Sequence, residues 1–243
     1  ENAAIKRGAH PADWTYAKPR EMLFFLLSHP PRTKEQIGVM LWPDASPNQL
    51  RAALHPALYH LRRTLGDRQR VVTRQDSYSF NPDIPYYFDV DEFETLVTEA
   101  RRHAEKSPGQ AIAGLQAAVA LYQGDFLADA TVTNEWVLIR REELRQTFLE
   151  ALLLLGRLLF EAQRYTEAAD VYRRAIAQDS YLEVAHRELM RCYQQQGEIS
   201  RALKHYQSLV EYLRAEMSSV PAPETTALFQ RLAAQVAYTP SGK

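Results

Sequence analysis

The apolar positions in the first part of the chain predict two short helices. The run "MLFFLLS" at 22–28 follows Pro19 and ends before "HPPR". Proline in the first turn and just past the last turn is typical of a short helix. The next segment, "TKEQIGVMLWP", opens with Thr33 and Gln36 at the spacing of a capping box. Its predicted buried stripe contains Ile37, Met40 and Leu41.

A third helix is predicted over "SPNQLRAALHPALYHLRRTLG" at 46–66. Ser46 is a favourable N-cap, Pro47 suits the first turn, Gln49 completes a second capping box, and Gly66 suits the left-handed position that ends a helix. The apolar positions recur at helical spacing and predict one buried stripe. It contains Leu50, Leu54, Leu58, Leu61 and Leu65.

Pro56 lies in the middle of this predicted helix, opposite the leucine stripe. It lacks the amide that would bond to Ala52, so the sequence predicts a bend there. Two shorter helices that meet at His55 are the alternative, and the sequence does not decide between them.

After Gly66 the hydrophobic period changes to two. The segment "RVVTRQDSYSFNP" at 70–82 predicts two strands around a polar turn at Gln75-Asp76-Ser77. Three short helices followed by a β-hairpin is the order of a winged helix-turn-helix domain. We place its boundary near Tyr86, which predicts one domain over 1–86 and a second over 87–243.

The second domain is predicted to consist of helices arranged as repeats. At a shift of 34 residues Leu155 aligns with Leu189, Ala168 with Ala202, and Tyr172 with Tyr206. With Gly156 and Gly197, these positions match the small-and-large pattern of a tetratricopeptide repeat. The predicted fold class is therefore mainly α, a winged helix-turn-helix domain followed by an all-α tetratricopeptide-like repeat domain.

The distribution of charge favours a polyanionic partner for the first domain. The net charge of the chain is −1, but residues 1–87 carry 12 Lys and Arg against 8 Asp and Glu. The rest of the chain carries 17 against 22, and the predicted third helix has no acid from Asn48 to Leu65. A basic domain joined to an acidic one is typical of a protein that meets nucleic acid through the basic part.

Other features bear on membrane, redox and catalytic classes. No apolar run reaches the roughly 18 residues of a membrane span. The single cysteine, Cys192, leaves no partner for an internal disulfide and fits a cytoplasmic location. The histidines lack metal-ligand spacing, and no phosphate loop or nucleophile elbow is present. We therefore expect no enzyme, no metal and no cofactor.

Because the first residue is Glu1 rather than Met, we also expect a fragment of a longer chain.

The combination of motifs resembles the bacterial transcriptional activator domain family, which includes the Streptomyces antibiotic regulatory proteins. The matching stretches run from about Lys18 to Met217 and include "KPREMLFFLLSHP", "LWPDASPNQLRAALHPALYHLRRTLG", "FDVDEFETLV" and "AVALYQGDFLAD". In that family an OmpR-type winged helix precedes a tetratricopeptide-like activator domain. This chain departs from the pattern in three ways: residues 1–17 are too irregular to form the full N-terminal sheet, the wing turn lacks glycine, and Pro56 interrupts the recognition helix.

The resemblance implies a sequence-specific transcription activator that binds repeats near a promoter. The partners it implies are double-stranded DNA and RNA polymerase. A homodimer on DNA and a small-molecule or protein effector at the repeat domain are further expectations, and no membrane is expected.

The candidate DNA-binding residues lie mainly on the exposed flank of the third helix. Arginine suits guanine or phosphate, asparagine and histidine suit base edges, and tyrosine suits a phosphate or sugar. Thr33 and Lys34 open the second helix, whose amides suit a phosphate, and Arg74 marks the wing, with Arg70 a weaker candidate. The flank candidates are Asn48, Arg51, His55, Tyr59, Arg62 and Arg63.

Two rival interpretations remain. The alternatives to a DNA-binding activator are a tetratricopeptide-type scaffold for protein interactions and the regulatory fragment of a larger multidomain signalling ATPase. The acid-free flank argues against the scaffold, because protein binding by a winged helix does not require the absence of acids.

Overall fold

The computed structural model describes residues 6–7, 10–11, 14–128 and 134–238. The chain forms two compact units, one from Glu1–Glu92 with Gln123–Leu144, the other from Phe93–Tyr122 with Arg145–Lys243. The first unit therefore includes a segment that lies well beyond the boundary predicted near Tyr86. Within the described part, no helix is both long enough and apolar enough to cross a membrane.

The first unit contains the predicted helices and hairpin. Residues 1–17, for which the sequence predicts either irregular chain or a remnant strand, contain an antiparallel pair of two-residue strands. A second sheet has the antiparallel order β3-β5-β4. The elements are β1 (Lys6–Arg7), β2 (His10–Pro11), α1 (Ala17–Leu27), β3 (Arg32–Thr33), α2 (Lys34–Leu41), α3 (Pro47–Leu65), a 3-10 turn (Arg68–Arg70), β4 (Val71–Arg74) and β5 (Ser77–Phe80).

The local signals at the helix ends are confirmed. Thr33 with Gln36 and Ser46 with Gln49 form complete capping boxes at the starts of α2 and α3. Gly66 ends α3 with φ of 72°, in the left-handed region that glycine adopts at low cost. All five predicted leucines of α3 are buried.

Three details of the prediction are corrected. The helix α3 is continuous through Pro56, so the alternative of two helices that meet at His55 is wrong. Pro56 is exposed, and the helix lacks only the hydrogen bond that an amide at this position would donate. Met40 does not belong to the buried stripe, because its side chain is 43% exposed. The wing turn is formed by Gln75 and Asp76 alone, with φ of 48° and 60°, and Ser77 pairs with Arg74 as the first residue of β5.

The segment Gln123–Leu144, referred to below as the downstream segment, completes the core around α1. Phe126 contacts Phe24 at a ring-centroid distance of 5.8 Å, and Trp136 contacts Phe25 at 5.3 Å. The Nε1 atom of Trp136 donates to Glu21, whose carboxylate is buried and also accepts from Lys18 and Asn134. These contacts explain why residues so distant in sequence share one unit with α1.

The second unit is helical throughout its described part, and the repeat prediction is confirmed. The helices, of which α4 and α6 begin in the first unit, are α4 (Asp89–His103), α5 (Pro108–Leu121), α6 (Glu135–Glu161), α7 (Tyr165–Gln178), α8 (Glu183–Gln195), α9 (Ile199–Met217) and α10 (Pro223–Tyr238). Helices α7, α8, α9 and α10 pack successively on one another. The aligned pairs Ala168 and Ala202, and Tyr172 and Tyr206, are buried in both copies.

A pair of stacked imidazoles lies between α8 and α9. His186 Nδ1 lies 3.0 Å from His205 Nε2, and His186 Nε2 lies 3.1 Å from the Ser180 carbonyl oxygen. This geometry fits two neutral rings, in which His205 donates to His186 and His186 donates to the carbonyl. Burial and the neighbouring His186 lower the pKa of His205 to about 4. Burial also lowers the pKa of His186, against the opposing influence of its bond to the Ser180 carbonyl and of Glu183 and Asp179.

We expect the free energy of unfolding to fall as the pH drops from 6.5, the ordinary histidine pKa, towards about 4. In this window the unfolded chain takes up protons that the folded His205 does not, which costs at most about 1.4 kcal/mol per pH unit. Urea denaturation across the window measures the slope. His205→Gln keeps a donor for His186 but cannot titrate, so its slope is expected to be shallower. The exposed His103→Gln serves as the control, and equal slopes for His205→Gln and the wild type would contradict this assignment.

Candidate nucleic-acid interface

One face of α3 is exposed along its whole length and carries most of the predicted site residues. Asn48, Arg51, His55, Tyr59 and Arg63 are all exposed, at the three- and four-residue spacing that aligns side chains on a helix. Arg51, His55 and Arg63 make no hydrogen bond or ion pair with any residue that the structure describes. Their donors therefore face solvent along the face that has no acid.

Arg62 differs from the other cations of this flank. Its Nη2 atom donates to the Val71 carbonyl oxygen at 2.9 Å, and the side chain is half-buried. Its Nε atom is buried without a hydrogen-bond partner in the described part of the chain. Arg62 thus joins α3 to the first residue of β4 and fixes the position of the hairpin beside the helix.

A groove of about 690 Å³ separates the C-terminal half of α3 from the hairpin. Asp67 is an acid in its lining, and its carboxylate is occupied in capping the 3-10 turn by accepting from the Gln69 amide at 2.8 Å. The polar and cationic part of the lining comprises His55, Tyr59, Arg62, Arg63, Arg68 and Thr73. A groove with several guanidinium groups, in which Asp67 is engaged in capping a turn, suits a phosphate.

Sequence reasoning did not identify Arg68 as a site residue. Its side chain is exposed, lines this groove, and has no hydrogen bond or ion pair among the described residues. The signal was the basic cluster "DRQR" directly after Gly66. Arg70, the weaker candidate of the same cluster, instead donates to the Pro85 carbonyl oxygen at 3.3 Å.

The remaining predicted residues lie beside the hairpin. The register pairs Thr33 of β3 with Ser77 of β5, which places the start of α2 next to the hairpin. The Thr33 hydroxyl accepts a hydrogen bond from the Gln36 backbone amide. The Nζ atom of Lys34 lies 3.5 Å from the Oε1 atom of Glu35. Arg74 is 73% exposed and pairs with the equally exposed Asp83 at 3.6 Å, a surface ion pair that contributes little and breaks easily.

The described residues contain no cluster of three or more side chains able to hold a metal ion. Trp136, a residue that its sequence context assigns to packing between repeat helices, is instead buried within the first unit against Phe25. Leu41 is likewise buried, and Trp42 and Tyr78 are half-buried.

Comparison with known proteins identifies a family for most of the chain beyond Tyr87. The family profile of the bacterial transcriptional activator domain matches residues 88–233, more than half of the chain. The chain belongs to the bacterial transcriptional activator domain family. This result confirms the resemblance inferred from the motifs, and the family is one of transcriptional regulators rather than of enzymes.

Solved structures extend the likeness of this activator-domain protein to the first unit. EmbR from Mycobacterium tuberculosis, in a structure with a low-affinity phosphopeptide, aligns over 93% of this chain with 22% identity and a TM-score of 0.77. The alignment covers 61% of the EmbR chain, so this chain corresponds to only part of that protein. At this identity the likeness establishes a shared fold.

More distant structures match only part of the chain. PcrH from Pseudomonas aeruginosa aligns over 60% of this chain and 90% of its own, with 18% identity and a TM-score of 0.38. The comparison with curated protein sequences found no match.

Proposed function

We propose that this activator-domain protein is a sequence-specific DNA-binding transcription regulator whose first unit works as a winged helix-turn-helix. The observation that carries the proposal is the exposed face of α3, which holds unpaired Arg51 and Arg63 and no acid. A scaffold helix has no need for such a face, whereas DNA presents a dense row of phosphates to it.

In this proposal α3 lies in the major groove, which is wide enough to admit a helix. Asn48, Arg51 and His55, on the N-terminal half, contact base edges, because N-terminal residues of a recognition helix reach the groove floor. Arginine bound bidentately to guanine contributes about 1–3 kcal/mol of discrimination.

The residues around the helix-hairpin groove hold the DNA backbone. Tyr59, Arg63 and Arg68 contact phosphate, and Arg62 positions the hairpin through Val71. Arg74 on the wing contacts the backbone or minor groove, and the start of α2, with Thr33 and Lys34, faces a neighbouring phosphate. Such contacts position the protein without conveying sequence information.

Activation extends the proposal to protein partners. The resemblance to antibiotic regulatory proteins supports an activator that binds promoter repeats in the cytoplasm and contacts RNA polymerase. Binding to repeats brings copies of the chain together on DNA. An effector at the repeat unit belongs to the same proposal.

Selection of bound duplexes from a randomised library tests the proposal. The wild-type chain is expected to recover a defined motif. Arg51→Ala is expected to relax the preference at one base pair, with about 5- to 150-fold lost discrimination there, because one bidentate contact disappears. Arg74→Ala is the matched comparison, since a backbone contact affects all sequences alike. Selection without any motif would instead favour the interaction scaffold.

A further inference from the structure

The second unit carries a groove of its own, formed by α6, α7 and α8. Its volume is about 620 Å³, within the usual range of binding sites. Half-exposed apolar side chains form the walls, and polar groups lie among them. The apolar wall residues are Leu153, Leu154, Phe160 and Val184.

Tyr172 contributes a buried side chain to this groove. It is only 1% exposed, and its hydroxyl has no hydrogen-bond partner among the described residues. A Cβ atom at Gly156 would lie 2.6 Å from Tyr172 Cζ, so the ring fits against α6 only because that residue is glycine. The hydroxyl itself is not fully buried, so it opens onto the groove, where an acceptor group of a ligand can take its hydrogen bond.

The second repeat provides an internal comparison. Tyr206 occupies the position equivalent to Tyr172, and its hydroxyl lies 3.1 Å from Thr226 Oγ1. Its ring also stacks on Phe229 at 4.2 Å. The repeat fold therefore satisfies this hydroxyl in one copy and leaves it open towards the groove in the other.

The groove lining holds two arginines and two glutamates, and the arginine without a partner offers a site for an anionic group of the ligand. Arg191 is paired with Glu188 at 3.1 Å, whereas Arg157 makes no hydrogen bond or ion pair with any described residue. Arg157 and the Tyr172 hydroxyl are both donors that line the same groove. Glu161 also lines the groove, one helical turn after Arg157 on α6, and its side chain is exposed. Its carboxylate can accept a hydrogen bond from a backbone amide of the ligand.

We propose that this groove binds a protein partner through a peptide segment in which an acidic residue adjoins an aliphatic or aromatic residue. The carboxylate accepts from the Tyr172 hydroxyl and from Arg157, and the apolar neighbour packs against Leu153, Leu154 and Phe160. The groove is open along one side, which suits a peptide better than an enclosed small molecule. The proposal does not depend on DNA binding by the first unit.

An array of random 12-residue peptides, probed with the purified chain, tests the proposal. Bound peptides are expected to share an Asp or Glu next to Leu, Ile or Phe. Fluorescence anisotropy with one such peptide then compares variants. Tyr172→Phe removes only the hydroxyl and is expected to weaken binding about 10-fold, as the loss of a hydrogen bond to a charged group implies. Arg157→Gln is expected to weaken it by about 10-fold or more.

The controls separate binding from folding. Tyr206→Phe and Arg173→Gln change a tyrosine and an exposed arginine of the same unit and are expected to leave peptide affinity unchanged. The melting temperature of Tyr172→Phe is expected to match the wild type, because no intramolecular hydrogen bond is lost. An array without a shared motif, or full affinity in both groove variants, overturns the proposal. So does tight binding of octanoate when no peptide binds, since it would assign the groove to a small molecule.

Discussion

Replacing Trp136 with alanine is expected to lower the free energy of unfolding of the first unit by about 3–5 kcal/mol, the range for removing a buried aromatic side chain. Trp136 lies 50 residues beyond Tyr86, yet it is only 4% exposed and packs edge-on against Phe25. Its loss leaves a cavity beside α1 and deprives the buried Glu21 carboxylate of a donor.

Urea denaturation of the full chain measures this effect, with the DNA affinity of the same variant as a second readout. Ile139→Ala is the matched control, because Ile139 is on the same helix and 53% exposed. It is expected to change stability by less than about 0.5 kcal/mol, as is usual for surface positions. If Trp136→Ala behaved like the control, the downstream segment would have no structural role in the first unit.

The double variant Arg63→Ala/Arg68→Ala is expected to weaken DNA binding by about 10²- to 10⁴-fold while leaving the preferred sequence unchanged. Each arginine is assigned one phosphate, and a hydrogen bond to a charged group contributes about 1.5–3 kcal/mol. At each phosphate that the variant no longer contacts, the DNA keeps its bound counterion instead of releasing it. The slope of log K against log salt is therefore expected to become shallower by about 2.

Anisotropy titrations at several salt concentrations provide both quantities. Arg201→Ala removes one exposed arginine that is paired with Glu198 at 2.8 Å, and it is the control for the loss of a positive charge. An unchanged salt slope in the double variant would contradict the assignment of the helix-hairpin groove to phosphate. A changed base preference would place these arginines against base edges instead.

The parts of the fold that depend on neighbouring residues were predictable from the sequence. Capping boxes at Thr33 and Ser46, the αL glycine at position 66 and the leucine stripe of α3 are all encoded within a few residues. The repeat was equally visible, because Tyr172 and Tyr206 recur at a fixed spacing. Continuity through Pro56 does not follow from the local sequence, because the cost of a proline depends on whether its side of the helix is packed or exposed.

Features that depend on distant contacts were not predictable. Nothing near Glu21 in the sequence indicates that Asn134 and Trp136 will bind it, so the return of Gln123–Leu144 to the first unit was missed. Met40 fits a buried period within α2, yet no neighbouring element covers it. Arg62 bonds to Val71, whereas Arg68 has no partner among the described residues. This difference depends on where the hairpin packs, which the local sequence does not indicate.

The central claim is that the acid-free face of α3 reads a DNA sequence. The most direct test compares the affinity of the full chain for its selected duplex with that for a shuffled duplex of the same composition, at a fixed salt concentration. The account predicts a ratio of about 10³ or more, as expected of specific recognition, and a much smaller ratio for Arg51→Ala. Equal affinities for the two duplexes would contradict the claim and leave the repeat groove as the functional surface of the protein.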